Sequence, residues 1–158
     1  MRCFCCSTSS YEHCCAPFIS GTDSPQTAEQ LMRSRFTAYA IKQYDYVRDT
    51  YSEEKRQGIT SENLESSASG AHWFALKVHT STHSKPSSDT VEFTAYYFEN
   101  KHLFQLHETS RFIVEGGLWR YHDGTLHDDC GKIKYGRNLP CLCGNNKKFK
   151  QCCATKVR

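Results

Sequence analysis

Long hydrophobic segments are missing from this chain. Hydrophobic residues make up 38% of its 158 residues, and no stretch approaches the roughly 18 apolar residues of a membrane helix. Met1–Ser10 contains only Arg2 as a basic residue and no apolar stretch, so we expect no secretory signal. These absences predict no membrane contact and a cytoplasmic location, where thiols stay reduced.

Acidic residues are missing from the last part of the chain. Residues 132–158 contain eight Lys or Arg and no Asp or Glu, whereas residues 1–131 contain 12 basic and 17 acidic residues. The net charge of +3 is therefore the sum of −5 and +8. A basic segment of this kind favours an acidic protein surface, a ribosome or RNA as partner, and the alternative is a charged surface that only keeps the segment in solution. The residues expected to make the contact are Arg137, Lys147, Lys148 and Lys150.

Several catalytic signatures are also missing. The sequence shows no Ser-His-Asp arrangement, no phosphate-binding loop and no glycine-rich nucleotide fingerprint. These absences argue against a nucleotide-dependent enzyme.

Cysteine, in contrast, is abundant. Eight of the ten cysteines form two groups with the same spacing, Cys-x-Cys, eight residues, then Cys-Cys. The groups are Cys3, Cys5, Cys14, Cys15 and Cys141, Cys143, Cys152, Cys153. Four thiolates suit zinc, whose binding supplies about 10–16 kcal/mol to the folding of a short segment. We therefore predict two metal sites, each with four cysteine ligands, and the alternatives are paired disulfides or a cluster of buried free thiols.

The two cysteine groups differ at one position. Gly144 follows the Cys-x-Cys of the second group, whereas Cys6 follows that of the first. Glycine adopts positive φ without strain, and cysteine resists it. We therefore expect a looser first site, whose ligands could also come from Cys6 or His13.

The middle of the chain predicts helices followed by strands. Ser24-Pro25 is typical of a helix start, and apolar residues at helical spacing predict a helix over 25–43. A second helix is predicted over 45–57 with Asp45 as its cap, followed by a loop or one more helical turn over 59–70.

From residue 72 the apolar residues alternate with a period of two, which predicts strands. The predicted strands are 72–80, 91–99, 103–114 and 118–122, with turns at 81–89 and at Gly116-Gly117. Helices on one face of a curved antiparallel sheet make an α+β fold. The predicted organisation is a metal motif over 1–20, an α+β domain over 24–127, and a linker with a second metal motif over 128–158.

One carboxylate is out of place in this pattern. Glu108 and Ser110 fall on an otherwise apolar face of the third strand. A buried carboxylate needs a partner or a raised pKa, and Arg33, Arg35 or Tyr39 could supply the partner. Glu108 is therefore a candidate acid or base in a pocket, and the alternatives are a Glu–Arg pair or a strand bulge. Four histidines are expected to face solvent: His72, His79, His107 and His122.

The C-terminal segment resembles the SEC-C motif. The resemblance lies in Tyr135-Gly136-Arg137-Asn138, Pro140-Cys141-x-Cys143-Gly144, Lys147-Lys148-Phe149-Lys150 and Cys152-Cys153. In the tail of the translocase motor SecA this motif holds zinc, with iron as the alternative metal, and contacts the chaperone SecB and the ribosome. The motif commonly has Ser-Gly at the position of Asn145-Asn146, and asparagine tolerates the same turn.

The whole chain resembles the uncharacterised YchJ-type family of SEC-C motif proteins. The middle resemblance lies in residues 31–39, in Glu108-x-Ser110-Arg111-Phe112 and in Trp119-x-Tyr121-x-Asp123-Gly124. It implies a cone-shaped domain like nuclear transport factor 2 (NTF2), with a cavity between helix and sheet, flanked by a metal motif at each end. The expected function is that of a zinc-binding adaptor whose basic C-terminal motif docks a ribosome, a protein-export factor or RNA, and the alternative is an enzyme that uses Glu108 in the cavity. Redox sensing by the cysteines is a third hypothesis.

Overall fold

The computed structural model describes residues 1–85 and 87–156 and has an α+β fold. Its α-helices are α1 (Ala16–Ser20), α2 (Ala28–Ala40), α3 (Tyr44–Asp49), α4 (Glu53–Arg56) and α5 (Ser61–Ala68). Its strands are β1 (His72–Lys85), β2 (Ser88–Glu99), β3 (His102–Glu115), β4 (Leu118–Leu126) and β5 (Gly131–Lys132). Short 3-10 helices cover Tyr11–His13, Phe149–Gln151 and Cys153–Lys156.

The strands form one antiparallel sheet in the order β1-β2-β3-β4, and β5 pairs with the start of β3. Helix α2 packs against β1, β2 and β4. The core between helix and sheet contains Leu31, Phe36, Val91 and Phe112, because apolar residues recur on one side of α2 and on alternate positions of the strands. The predicted fold class is therefore confirmed.

Strand β3 has the predicted alternation. Leu106, Glu108, Ser110 and Phe112 all line the space beneath the helices. The β3–β4 turn is the predicted glycine pair, with φ of +57° at Gly116 and +79° at Gly117, as a two-residue hairpin turn requires.

Helix α2 starts later than predicted. Thr27, not Ser24, is its N-cap, since the Thr27 side chain accepts a hydrogen bond from the Gln30 amide at 3.1 Å. The predicted start at Ser24-Pro25 is therefore wrong, and the helix ends at Ala40.

The predicted helix over 45–57 is divided into α3 and α4. Between them, the Ser52 amide donates to the Tyr121 carbonyl and the Tyr121 amide donates to the Thr50 carbonyl, both at 2.8 Å. These bonds to β4 replace the helical ones. Asp45 is not a cap, because it lies inside the first turn of α3 and accepts a hydrogen bond from Ser61.

Other boundaries also differ from the predictions. Of the loop and the helical turn expected over 59–70, the helical alternative is correct, and it is the eight-residue α5 with Thr60 as its N-cap. The predicted turn over 81–89 is wrong for most of its length, because β1 continues to Lys85 and β2 begins at Ser88; residue 86 lies outside the described residues. Strand β4 extends to Leu126, and the linker contributes β5. Within the described residues, no helix has the length and apolarity to cross a membrane.

Candidate metal centres and central cavity

The structure brings each predicted cysteine quartet together. In both quartets the four sulfur atoms lie within 4.8 Å of one another. The Cys5–Cys14 and Cys14–Cys15 sulfur separations are 3.7 and 3.9 Å. The equivalent Cys143–Cys152 and Cys152–Cys153 separations are 3.6 and 3.9 Å.

These separations fit a shared metal ion. A tetrahedral ion with metal–sulfur bonds of about 2.3 Å places its ligands about 3.8 Å apart. A disulfide needs sulfur atoms about 2.05 Å apart, and all ten cysteines, which lie in the described part of the chain, are free thiols. The donor set therefore fits an ion such as zinc and does not fit the disulfide alternative.

Six of the eight quartet cysteines are buried, and Cys14 and Cys152 are half-buried. Cys5 and Cys15 are fully buried in the first quartet, and Cys153 in the second. Burial raises the pKa of the Cys14 thiol to about 11 and that of the Cys143 thiol to about 11. Hydrogen bonds from the neighbouring Cys15 and Cys3 thiols lower the pKa of Cys5. Four thiolates at this spacing would repel one another, so the thiolate form of each quartet would need a bound cation.

The two motifs share backbone hydrogen bonds as well as their spacing. Bonds made by the first motif recur 138 residues later in the second. The Cys6 amide donates to the Cys3 carbonyl at 3.1 Å, and the Gly144 amide donates to the Cys141 carbonyl at 3.0 Å. The repeat therefore extends to the fold of each motif.

The same correspondence includes contacts to sulfur. The Ser7 hydroxyl lies 3.2 Å from the Cys14 sulfur, and the Asn145 side-chain amide donates to the Cys152 sulfur at 2.9 Å. A polar group next to a thiolate fixes its position and stabilises its charge.

Cys6 does not distort the first motif, contrary to the expectation. It adopts φ of +64°, close to the +77° of Gly144, so both motifs make the same turn. Its sulfur points away from the quartet, toward the carbonyl groups of Phe4 and Phe74 at 3.7 and 4.0 Å. His13 is also outside the quartet and contacts the Ser10 hydroxyl at 2.9 Å. Burial raises the pKa of Cys6, which suits a packed neutral thiol.

The first motif is attached to helix α2. Arg33 donates to the Cys5 carbonyl at 3.0 Å, and the Thr37 hydroxyl donates to the Cys15 sulfur at 3.3 Å. Cysteines of this motif belong to the same apolar cluster as Leu31 of α2. The N-terminal motif is therefore part of the domain core.

The second motif covers the opposite part of the sheet. Phe149 packs against Phe74 of β1 and Phe98 of β2, with ring centroids 6.4 and 6.3 Å apart. Tyr135 packs edge-on against Phe149 at 5.3 Å. Residues of this motif form a second apolar cluster, distinct from that around α2.

The two motifs face one another across a groove of about 900 Å³. Cys3 and Cys6 line one side, and Cys143 and Cys152 line the other. Arg2 joins them: its Nη2 donates to the Cys6 carbonyl at 2.9 Å, and a Cβ added at Gly144 would lie 3.6 Å from the same atom. No local feature of the sequence signals this juxtaposition, because 138 residues separate the motifs.

The basic residues of the second motif point outward. Arg137, Lys147, Lys148 and Lys150 are all exposed. None of them forms an ion pair with another described residue. Their charges are therefore available to a partner.

Glu108 faces a cavity of about 230 Å³ between α2 and the sheet. Its carboxylate accepts hydrogen bonds from Ser110 and from the Tyr121 hydroxyl, the latter at 3.3 Å. None of the ion pairs within the described residues involves Glu108. Gly124 lies directly beside it, since an added Cβ would be 2.5 Å from the Glu108 carboxyl carbon.

Of the three expected partners of Glu108, two line the cavity and one lies outside it. Arg33 lies outside the cavity and pairs with Glu29 at 3.1 Å. Arg35 and Tyr39 both line the cavity. Arg35 donates to the Thr50 hydroxyl at 2.7 Å, and burial raises the pKa of Tyr39.

Two of the four histidines expected in solvent are covered. The side chain of His122 is 15% exposed, and its Nδ1 lies 2.9 Å from the Ser52 hydroxyl. The side chain of His107 is 16% exposed and lies between Glu92 and Asp129. His72 and His79 are exposed.

Comparison with known proteins supports both the fold of the middle domain and the C-terminal cysteine motif. Residues 27–124 match the family described as "YchJ, middle NTF2-like domain", and residues 137–155 match the SEC-C motif. A SEC-C motif protein from Rhodopseudomonas palustris has a solution structure with a TM-score of 0.76 and 33% identity, covering 81% of this chain and 100% of that one. A crystal structure of another from Psychrobacter arcticus has a TM-score of 0.68 and 26% identity, covering 96% and 89%.

Fold and sites together define a SEC-C motif protein with an NTF2-like middle domain. Among its relatives, a UPF0225 protein of Vibrio cholerae is 37% identical over 97% of this chain and 99% of its own length. A UPF0225 protein of Vibrio parahaemolyticus is 38% identical over 96% and 97%. The chain belongs to the YchJ-type UPF0225 family.

Proposed function

We propose that this protein is a zinc-binding adaptor in which two ions hold the motifs in shape and the C-terminal motif binds an acidic partner. The sulfur separations of 3.6–3.9 Å in both quartets support the metal. Zinc is favoured because it has no redox chemistry and forms closed, structural four-cysteine sites. Iron is the alternative, and an iron-loaded site would be coloured.

The observation that carries the adaptor role is the exposed basic surface formed by Arg137, Lys147, Lys148 and Lys150. The backbone amide of Lys150 donates to the Arg137 carbonyl at 2.9 Å, so the metal motif places these two residues side by side. A fixed cluster of positive charge attracts a polyanion such as ribosomal RNA, or an acidic protein face. The cytoplasm is the expected location for either contact.

Metal analysis tests the first part of the proposal. The purified full chain should contain two equivalents of zinc, and Cys141→Ser should contain one. A chain with no tightly bound metal, or with iron instead, would contradict zinc as the ion.

Binding to ribosomes, to RNA and to acidic proteins tests the second part. The double variant Lys147→Glu with Lys148→Glu should lose affinity, and the dependence of affinity on salt should weaken by about one unit of slope for each phosphate contact removed. A matched control, Lys55→Glu with Lys77→Glu, makes the same charge change at exposed positions outside the motif. Equal losses in both double variants would indicate net charge alone, and no binding by the wild type would refute the adaptor role.

A second candidate function uses the cavity. Glu108 lies in it without an arginine partner, which is the arrangement that a proton-transferring carboxylate needs. Small neutral compounds with hydrogen-bond donors that raise the unfolding temperature of the wild type should do so less for Glu108→Ala, while the exposed-site control Leu139→Ala should respond normally. The same comparison applies to Glu108→Gln. This candidate fails if no compound stabilises the wild type or if Glu108→Gln responds equally.

A further inference from the structure

The outer face of the sheet carries a cluster that neither the cysteine motifs nor the cavity uses. His79 of β1, Glu92 of β2 and His107 of β3 lie on three neighbouring strands, with Glu92 diagonal to His107, whose direct partner on β2 is Thr94. The face is the one opposite the cavity, because Phe93 and Glu108, the next residues along β2 and β3, line the cavity. One ligand atom from each of the three lies within 4.8 Å of the other two.

The separations suit a single ion. The His107 Nε2 lies 2.7 Å from a Glu92 carboxylate oxygen, and the rings of His79 and His107 have centroids 5.4 Å apart. Ligands bound tetrahedrally at about 2.0–2.1 Å are about 3.4 Å from one another. The His79 Nε2 lies 2.8 Å from the Thr94 hydroxyl. Binding one ion therefore requires the His79 ring to leave Thr94 and the 2.7 Å contact between Glu92 and His107 to open.

A second observation points to the same use. The other ring nitrogen of His107, Nδ1, lies 2.8 Å from an Asp129 carboxylate oxygen. A histidine that binds a metal commonly donates its second N–H to a carboxylate, which fixes the ring and increases its basicity. His127 stacks on the same ring at 3.8 Å, nearly parallel at 6°. The His107 ring is thus held in place with Nε2 directed at Glu92.

We propose that His79, Glu92 and His107 bind a divalent transition-metal ion such as Zn²⁺, with Asp129 positioning His107. Two imidazoles and one carboxylate favour zinc and its neighbours over Mg²⁺ or Ca²⁺, which take oxygen ligands. Three protein ligands leave at least one coordination position open, unlike the closed cysteine quartets. The site does not depend on the adaptor function, since its residues lie outside both motifs.

Calorimetric titration of the full chain, already loaded with two zinc equivalents at its cysteines, tests the site. Added Zn²⁺ should bind as one further equivalent. His79→Gln and His107→Gln should abolish this third equivalent while keeping two zinc equivalents and the circular-dichroism spectrum of the wild type. His102→Gln is the matched control, because His102 is an exposed histidine at the start of the same strand as His107.

Asp129→Asn separates a metal site from a simple hydrogen-bond network. Loss of such a positioning carboxylate weakens metal affinity about 10–100-fold, so the third equivalent should bind with a correspondingly higher dissociation constant. Cobalt in this site should also lack the thiolate-to-metal charge-transfer absorption that cobalt in the quartets shows. Absence of a third equivalent in the wild type, or unchanged binding in His79→Gln and His107→Gln, would overturn the proposal.

Discussion

Among single residues, Gly124 is the one that allows Glu108 its position in the cavity. An added Cβ at Gly124 would lie 2.5 Å from the carboxyl carbon of Glu108 and under 3.0 Å from both of its oxygens. Any other residue at position 124 would therefore displace the carboxylate from Ser110 and Tyr121. The glycine is required here by close approach and not by its backbone conformation.

Gly124→Ala should consequently destabilise the protein by about 1 kcal/mol, because the flexible Glu108 side chain can move away from the methyl group but gives up a hydrogen bond when it does so. The cost should fall toward zero when Glu108→Ala is also present, because the methyl group then has room. Urea unfolding of the wild type, both single variants and the double variant measures this coupling. Additive costs would show that the two side chains do not compete for space.

The inward position of Glu108 is predictable from sequence, because a strand with a period of two assigns every residue to one face. The sequence does not predict which of Arg33 and Arg35 lines the cavity. Both flank the apolar stripe of α2, and only the docking of the first motif, where Cys5 accepts from Arg33, decides which arginine enters the cavity.

Among the elements, helix α2 offers a direct test of its start. Thr27→Ala removes the side-chain acceptor of the Gln30 amide and should cost about 1 kcal/mol of unfolding free energy. Ser24→Ala, at the residue that the sequence favours, should cost less than about 0.5 kcal/mol. Chemical denaturation of both variants is the measurement, and equal costs would contradict Thr27 as the cap.

The C-terminal motif depends on one aromatic side chain as well as on its ion. Phe149 is 6% exposed and packs on the sheet, so Phe149→Ala should cost about 3 kcal/mol or more. Metal binding and folding of such a motif are coupled. This loss of free energy therefore corresponds to a roughly hundredfold lower zinc affinity at the C-terminal motif. Competition with a chromophoric chelator measures it.

Leu139→Ala is the control for this experiment, since Leu139 is 48% exposed in the same motif. Zinc release from Leu139→Ala should follow that of the wild type. If Phe149→Ala released its zinc only at the chelator concentration that the wild type needs, the ion alone would be sufficient to keep the motif folded.

Two element boundaries depend on contacts with distant strands and not on the local sequence. The sequence of 45–57 is compatible with one helix, and it divides only because Ser52 bonds across to Tyr121 of β4. The polar residues that predict a turn after residue 80 instead continue β1, because β2 pairs with them as far as Lys85. In both cases a distant strand outweighs local propensity.

In the molecule as a whole, the two motifs form one surface. A divalent ion held by four thiolates would have a net charge of about −2, and cysteines of both quartets line the same groove. Arg2, Lys101 and Lys156 also line it and offset this charge. Two such centres would sum to about −4, and these three side chains supply +3, so most of the charge is balanced without the outward basic residues of the second motif.

The grouping of the cysteines into two quartets was predictable because their spacing along the chain is the same in both. The meeting of the two motifs was not, because it depends on how the domain between them folds. The conformation of Cys6 follows from its own motif, whereas the packing of its sulfur depends on how the whole domain folds. It takes the conformation of Gly144 because the shared backbone bonds impose it, and its sulfur packs where the second motif covers β1.

The two motifs pack against different parts of the domain, so substitutions of matching cysteines should affect its stability unequally. Cys14→Ser and Cys152→Ser change matching, half-buried ligands 138 positions apart. The first quartet shares the main core with Leu31 and Phe36 of α2, so Cys14→Ser should lower the unfolding temperature of the whole domain by roughly 5–10 °C, at about 2–4 °C per kcal/mol. Cys152→Ser should release only residues 137–156. Hydrogen exchange should therefore rise across α2 in the first variant and stay at the wild-type level there in the second. Equal exchange across α2 in the two variants would show that the N-terminal motif is no more integral to the domain than its C-terminal counterpart.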